Sequence, residues 1–462
     1  MNKRGKESIF NGKVKNVYMI GIGGASMSGL ALILQDKGYN VSGLDMMESA
    51  GVKRVREAGI EVAIEKEPEG IEGSDLVVYT AAVSDDHPGL VAARKLGIPA
   101  IDRAELLGII ASEFKNVVAI CGTHGKTTST SMTAQIMVDC GMDPSVHIGG
   151  VLDSIGGGIR LGHSDIFLTE ACEYKRSYMS LNPSHIVILN IDEDHLDYYR
   201  DINEIEESFR DFLRKLPDDG WALGCGEDPR IMRHFERLSC LHETFGVSGV
   251  NDYHMNNICE DKLGHMHFDM CYHGEILGRV ELAVPGAFNA MNALASLALC
   301  HHMGADMKKA MKSIAKFTGA RRRFEKTGTL NGAEIFHDYG HNPAEMRNAV
   351  SIARKRCRGK LWVVVQPHTF SRVKKLFDGY LSCTQEADVT LVTDIFAARE
   401  VDPKNINSEM IVSSMKKNGV NAIHTPGFED AERLIREGVK EGDLVITMGC
   451  GDIYKLNDML NK

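Results

Sequence analysis

The stretch Gly122-Thr-His-Gly-Lys126-Thr127-Thr128 constrains the fold more than any other part of this sequence. It follows the apolar run Val117–Ile120 and Cys121, and precedes a long helix-like pattern reaching about Asp139. A strand, a glycine loop and a helix in that order let backbone N–H groups close around phosphate oxygens. A lysine at the helix start neutralises their charge, and the next hydroxyl is placed to bind Mg²⁺. The complete phosphate-loop pattern opens with glycine at position 120, where this chain has isoleucine. The loop predicts a parallel α/β domain with a nucleotide phosphate site; the plainer alternative is a structural turn. Its candidate residues are Gly122, Thr123, His124, Gly125, Lys126, Thr127 and Thr128.

Acidic residues follow at the ends of two further strand candidates. Glu170 closes Ile166-Phe-Leu-Thr, and Asp192-Glu-Asp-His195 follows Ile186–Asn190. Ligands gather at the carboxyl ends of parallel strands. A carboxylate, an imidazole and the loop hydroxyl suit one or two Mg²⁺ ions beside phosphates, so Thr127, Glu170 and His195 are the candidate metal ligands. Solvated strand ends or helix caps are the alternative.

A second glycine loop lies near the N-terminus. Val17–Ile22 runs into Gly23-Gly24 and then the helical pattern Met27–Lys37, so that Gly21-Ile-Gly23-Gly24-Ala-Ser26 follows a strand, with Asp45 after the next strand, Val41–Leu44. This resembles the dinucleotide fingerprint with Ser26 at the third glycine position. It fits NAD or another diphosphate, since a helix N-terminus recognises the diphosphate and not the nicotinamide.

The 462 residues exceed what one hydrophobic core usually holds, about 250–300 residues, so several domains are expected. Strand-like runs group into three: residues 1–113, 114–325 and 326–462. In the second group, His265, His267 and Asp269 alternate with Met266, Phe268 and Met270, an antiparallel signature. Residues 289–302 return to helical periodicity. The third group has strand candidates at Leu361–Val365, Val389–Val392 and Leu444–Met448, with helices between, as in another doubly wound sheet. Three polar loops punctuate it: His337-Asp-Tyr-Gly-His341-Asn342-Pro after Ile335-Phe336, Gln366–Arg372, and Gly449–Asp452. Arg321-Arg322-Arg323 lies at the boundary before it, as a solvated face or as a reach toward a γ-phosphate.

Net charge is −10, which argues against a generic nucleic-acid binder. No apolar run approaches the roughly 18–20 residues of a membrane span, and residues 1–15 carry no apolar leader core. Eleven cysteines without a C-x-x-C suggest reduced thiols in a cytoplasmic protein.

Taken in order, these motifs resemble the Mur ligases of peptidoglycan synthesis, and within them the branch that adds L-alanine to UDP-N-acetylmuramate. The markers are GIGGASMSGLA at 21–31, the loop at 122–128, EACEYKRSY from Glu170, NIDEDHLD at 190–197, PGAFNAMNA at 285–293, Arg322-Arg-Phe, the 338–343 loop, QPHTFSR at 366–372 and Gly449–Ile453. The resemblance implies an α/β chain of three domains: an N-terminal Rossmann-like domain for the UDP-sugar, a central ATPase and a C-terminal Rossmann-like domain. It implies that ATP phosphorylates the lactyl carboxylate, that the alanine amine attacks the acyl phosphate, and that phosphate leaves. By the same resemblance, Gly21, Gly23, Gly24, Ser26, Met27, Ser28 and Asp45 hold the UDP-sugar. Lys126 meets the β/γ-phosphates, Thr127 and Glu170 one Mg²⁺, and His195 a second. Asn292 takes adenine, Arg323 the phosphates and Asp338 the ribose, while Tyr339, His341 and Arg372 line the alanine end. The implied partners are UDP-N-acetylmuramate and L-alanine, with no nucleic acid or membrane, in a cytoplasmic monomer or weak homodimer. The roles in cell shape and cell division follow from the same pathway.

The chain departs from the family where His337 replaces a second acid, Asn342 a histidine, Phe288 a histidine and Thr369 an arginine of some relatives. No lysine occurs between Asp192 and Lys215, where later ligases often carry a carbamylated one. The alternatives are a related ligase joining a preformed peptide to the same UDP-sugar and, from other classes, an NAD-dependent dehydrogenase or a non-catalytic nucleotide-binding regulator.

Overall fold

A computed structural model describes residues 10, 12–65, 67–80, 83–195, 198–398 and 400–462. Ala81, after the fourth strand, and Asp197, closing the 190–197 motif, lie outside them. The chain forms two compact units. One comprises Met1–Asp192, Asn203–Tyr253 and Ala295–Ala310; the other comprises Glu193–Ile202, His254–Leu294 and Met311–Lys462.

The first unit holds two sheets. The N-terminal one is wholly parallel, in the order β3-β2-β1-β4-β5. Its strands are β1 (Asn16–Ile20), β2 (Asn40–Asp45), β3 (Glu61–Ile64), β4 (Leu76–Tyr79) and β5 (Ala100–Asp102). The order reverses beside β1, so the glycine loop that follows β1 opens at the topological switch point. Helix Arg103–Ala111 starts with a capping box, in which Asp102 accepts from Ala104 and Glu105 N–H and Glu105 returns a bond to Asp102 N–H.

The second sheet of this unit runs β12-β11-β10-β6-β9-β7-β8. These are β6 (Asn116–Cys121), β7 (Ser145–Leu152), β8 (Gly157–Arg160), β9 (Ile166–Glu170), β10 (His185–Ile188), β11 (Trp221–Cys225) and β12 (Leu241–Gly246). β6 lies between β9 and β10, parallel to both, and its apolar side chains are buried. The loop after β6 is thereby flanked by the ends of β9 and β10. The strand expected over 186–190 stops at Ile188. Asn190 instead turns its side chain into the phosphate loop, where it bonds the backbone of His124.

In the second unit, β13 (Tyr253–Glu260), β14 (His265–Tyr272) and β15 (Glu275–Pro285) are successive neighbours, with β14 and β15 antiparallel. Phe268 and Met270 are buried and His265, His267 and Asp269 half-buried, as the alternation requires, but Met266 is half-buried and Cys271 buried, where the register with β15 shifts. The remaining sheet is β16-β17-β21-β18-β19-β20. Its strands are β16 (Glu325–Leu330), β17 (Ala333–Asp338), β18 (Leu361–Val365), β19 (Val389–Val392), β20 (Ala422–His424) and β21 (Leu444–Met448). Only the β16–β17 pair is antiparallel. Every residue of β18 and β21 is buried, as parallel strands covered on both faces must be. One expectation changes here. His337 and Asp338 do not open a loop: both belong to β17, paired with Thr447 and Met448 of β21. A polar His337 is tolerated inside the sheet because both ring nitrogens find partners there.

Candidate active site

The loop after β6 is shaped by backbone conformations that favour glycine. Gly122 has φ +137°, and a Cβ there would lie 3.0 Å from Leu189 Cβ; Gly125 has φ +86° and caps helix Lys126–Asp139. Thr123 N–H donates to Asn190 O at 3.1 Å, and Thr123 Oγ1 accepts from Asp192 N–H at 2.9 Å. His124 Nε2 lies 3.4 Å from Asp192 Oδ2. Thr128 is half-buried in the first helical turn.

Lys126 Nζ donates to Gly122 O at 2.6 Å, Thr123 O at 3.0 Å and Glu173 Oε1 at 2.9 Å. Glu173 is 2% exposed. Thr127 Oγ1 donates to Glu170 Oε2 at 3.2 Å, and Glu170 Oε1 accepts from Gly149 N–H at 2.9 Å. A hydroxyl beside a carboxylate is a two-ligand set. Mg²⁺ at a nucleotide commonly takes one or two protein oxygens and fills its octahedron with water and phosphate. The pair therefore fits one such ion. Among the described residues, no three His, Cys, Asp or Glu side chains cluster as an all-protein metal site. Cys121 is fully buried and its thiol is pushed well above its ordinary pKa by desolvation, so it behaves as an inert small side chain.

The N-terminal glycine loop belongs to the same unit. Gly21 has φ +76°, and a Cβ on it would strike Thr80 Cγ2 at 2.6 Å. Asp45 Oδ2 accepts from Gly23 N–H and Oδ1 from Met46 N–H, both at 2.8 Å, so this carboxylate fixes the loop. Gly24 caps helix Ala25–Asp36 without a side-chain bond. Met27 and Ser28 are buried, and Ser28 donates its N–H to Gly24 O and its hydroxyl to Ala25 O; these side chains build the loop.

Ser26 Oγ lies 2.7 Å from His147 Nε2, whose Nδ1 lies 3.1 Å from Thr169 Oγ1. Thr169 donates its hydroxyl to Glu170 O at 3.0 Å, so it accepts from His147. Nδ1 then carries the imidazole proton and Nε2 accepts from Ser26. Arg103 Nη1 completes the set on Ser26 Oγ at 3.3 Å. Burial, and secondarily Arg103, push the His147 pKa down to about 3, which keeps the ring neutral. The two glycine loops are thus joined through Ser26, His147, Thr169 and Glu170.

The remaining expected residues lie in the second unit. His195 has φ +51°, and its N–H donates to Asp194 Oδ1 at 2.7 Å. It shares a small pocket with Glu193, Asp194, Ser371, Arg372, Lys375 and Leu376; Arg372 Nη2 stands 3.9 Å from Asp194 Oδ1. Asp338 Oδ2 accepts from Phe324 N–H at 2.8 Å and Oδ1 from Gly340 N–H at 2.7 Å, while desolvation raises its pKa. The Arg322 and Arg323 guanidinium carbons lie 4.8 Å and 5.0 Å from the Tyr339 ring centre. His341 Nδ1 is 3.2 Å from Tyr339 O, and desolvation lowers its pKa. Asn292, buried on helix Ala287–His302, donates to Asn289 Oδ1 at 3.4 Å. Asn342 is the N-cap of helix Pro343–Arg356, in a capping box with Glu345.

Three family models match the chain in order: "Mur ligase family, catalytic domain" over residues 16–115, "Mur ligase middle domain" over 120–300 and "Mur ligase, glutamate ligase domain" over 322–451. The chain belongs to the Mur ligase family. Its Mur ligase relatives include the UDP-N-acetylmuramate–L-alanine ligase of Acetivibrio thermocellus, 40% identical over 97% of this chain and 96% of the relative. The enzyme of the same name from Lachnospira eligens is 41% identical over 98% and 99%. Among solved Mur ligase structures, the UDP-N-acetylmuramate–alanine ligase of Thermotoga maritima superposes with a TM-score of 0.83 at 26% identity, over 97% of this chain and 98% of that one. A murein peptide ligase from Psychrobacter arcticus has the same fold, with a TM-score of 0.75 at 22% identity over 96% and 98%.

Four groups beside these sites escaped motif reading: Glu173, Asn190, His147 and Arg103. Glu173 and Asn190 sit inside quoted motifs, where only the neighbouring acid or histidine attracts notice. His147 and Arg103 have no local signal, since their partner Ser26 is 121 and 77 residues away.

Proposed function

We propose that this Mur ligase joins L-alanine to the lactyl carboxylate of UDP-N-acetylmuramate, in an ATP- and Mg²⁺-dependent step of peptidoglycan precursor synthesis in the cytoplasm. The observation that carries the reading is the Thr127–Glu170 pair beside Lys126 on a phosphate loop, within a chain similar over its whole length to ligases of that name. The chemical difficulty is charge: a carboxylate must attack a polyphosphate. Bound Mg²⁺ would screen that repulsion.

The chain's own residues do the rest. Lys126, already on an oxygen cage, is placed to exchange its contacts for β/γ-phosphate oxygens. Thr127 and Glu170 would hold one Mg²⁺ and His195 a second. Gly21, Gly23, Gly24 and Ser26 receive the sugar-nucleotide diphosphate, with Asp45, Met27 and Ser28 holding that loop in shape. Asn292 takes adenine, Asp338 ribose and Arg323 phosphate. Arg372, with Tyr339 and His341, takes the amino-acid carboxylate, for which an arginine fork is suited. We assign these roles to domains 1–113, 114–325 and 326–462 of a monomer or weak homodimer.

The deciding experiment measures phosphate release from ATP and Mg²⁺ with UDP-N-acetylmuramate, against L-alanine, glycine, L-serine and a stem tripeptide. Release with L-alanine and the matching mass gain on the sugar nucleotide is the expected result. Release with the tripeptide alone would move the chain to the peptide-joining branch, and the absence of release with every acceptor would overturn the reading.

A further inference from the structure

Arg322 is held with unusual completeness. Its backbone has φ +67° and that of Phe324 φ +45°, left-handed conformations that non-glycine residues hold only where the surroundings impose them. Arg322 Nε donates to His337 Nε2 at 3.2 Å and Nη2 to Gly451 O at 3.1 Å. The guanidinium carbon is 4.8 Å from the Tyr339 ring centre and 5.0 Å from that of Tyr454. Glu325 is engaged by the Arg322 main-chain N–H at 2.7 Å, and among the described residues no carboxylate forms an ion pair with the guanidinium.

The partners of His337 fix its tautomer. Asn457 Nδ2 donates to Thr327 Oγ1 at 2.9 Å and to Phe336 O at 3.2 Å, which leaves Oδ1 to accept from Thr447 Oγ1 at 2.6 Å. A hydroxyl has one hydrogen, so Thr447 accepts from His337 Nδ1 at 2.9 Å. Nδ1 carries the proton and Nε2 offers its lone pair to Arg322. Burial, then Arg322, hold the His337 pKa down to about 4, so the ring stays neutral.

An acid in this position would orient the same guanidinium and also cancel its charge. A neutral imidazole orients it and leaves the charge intact. Arg322 stands at the carboxyl ends of β17 and β21, beside Asp338 and the turn that contains Gly449 and Gly451, where ligands of such sheets gather. We propose that His337 is a positioning residue that holds Arg322 as a net cation for the phosphate chain of the nucleotide. The inference rests on the ATP-dependent reading above.

The test compares Arg322→Met, His337→Asp and His337→Gln with wild type. Calorimetry measures the affinity for ADP and for inorganic tripolyphosphate, and kinetics give separate KM values for ATP, sugar nucleotide and alanine. Arg322→Met should weaken ADP and tripolyphosphate and raise the ATP KM by about tenfold, the size of one charge-assisted hydrogen bond. The other two KM values should stay within about twofold, since the lost contact is to phosphate alone. His337→Asp should shift the ATP KM in the same direction. His337→Gln, which places Oε1 near the position of Nε2, should restore it.

A folded Arg322→Met with unchanged ADP and tripolyphosphate affinity overturns the proposal. So does a rise confined to the alanine KM, which would assign Arg322 to the amino-acid carboxylate. An ATP KM in His337→Asp equal to wild type overturns the charge argument. Wild type that binds ADP yet never ligates alanine overturns the proposed reaction, while the binding measurements still decide the role of Arg322.

Discussion

Lys126 and Glu173 form an ion pair at 2.9 Å, with their side chains 15% and 2% exposed. The cation expected to meet phosphate thus rests on a nearly buried carboxylate. Breaking a buried pair from one side costs more than deleting both partners, because an uncompensated charge is left behind. Lys126→Ala should therefore abolish phosphate release and also destabilise the fold, by about 3 kcal/mol. Lys126→Ala combined with Glu173→Ala should recover most of that stability and none of the turnover. Denaturant melts and phosphate release on the three proteins check this. A single variant as stable as wild type would show that the pair is not offsetting a buried charge.

The bridge from Ser26 through His147 to Thr169 gives a second expectation. Replacing the imidazole by methyl removes two hydrogen bonds at a buried position while Ser26 keeps Arg103 and Thr169 keeps Glu170 O, and two such bonds together contribute about 1–3 kcal/mol. His147→Ala should lose stability on that scale and raise the sugar-nucleotide KM more than the ATP KM, because Ser26 and Arg103 are released beside the N-terminal loop. Equal rises in both would mean that the bridge only stabilises the unit.

Away from these sites, His185 lies against the Trp221 and His302 rings, at centroid distances of 6.1 Å and 5.6 Å. Desolvation, then His302, lower its pKa to about 4, against about 6.5 in an unfolded chain. Between those values the unfolded state binds the extra proton, so stability must fall as pH drops from about 6.5 toward 4. His185→Gln should flatten that slope. The check is the urea midpoint of both proteins across the window, and parallel curves would remove His185 as a contributor.

The sequence was most legible where burial is continuous. Leu361–Val365, Val389–Val392 and Leu444–Met448 are expected and found with the same ends, because a parallel strand covered on both faces is an apolar run with abrupt polar borders. β17 fails that rule at its end. His337 and Asp338 are polar, and their place in the strand depends on Thr447 and Arg322, which no local pattern announces. Both glycine loops were readable because their chemistry is local. His147, Arg103 and Glu173 were not, since each acquires its meaning from a distant partner.

Asn342, where the family commonly has histidine, caps a helix. Asn342 Oδ1 accepts from Ala344 N–H at 2.8 Å and from Glu345 N–H at 3.4 Å, while Glu345 Oε2 accepts from Asn342 N–H at 3.4 Å. Pro343 then occupies the first helical position, where a missing N–H costs nothing. Asparagine is among the best N-caps. This residue therefore stabilises helix Pro343–Arg356 and through it the polypeptide carrying Tyr339 and His341. Asn342→Ala should cost about 1 kcal/mol, and Asn342→Asp should cost little, since aspartate caps as well and its charge suits a helix N-terminus. If Asn342 serves only as a cap, both variants keep the wild-type alanine KM. A large rise in the alanine KM for Asn342→Asp, with stability unchanged, would show that the amide itself meets the substrate.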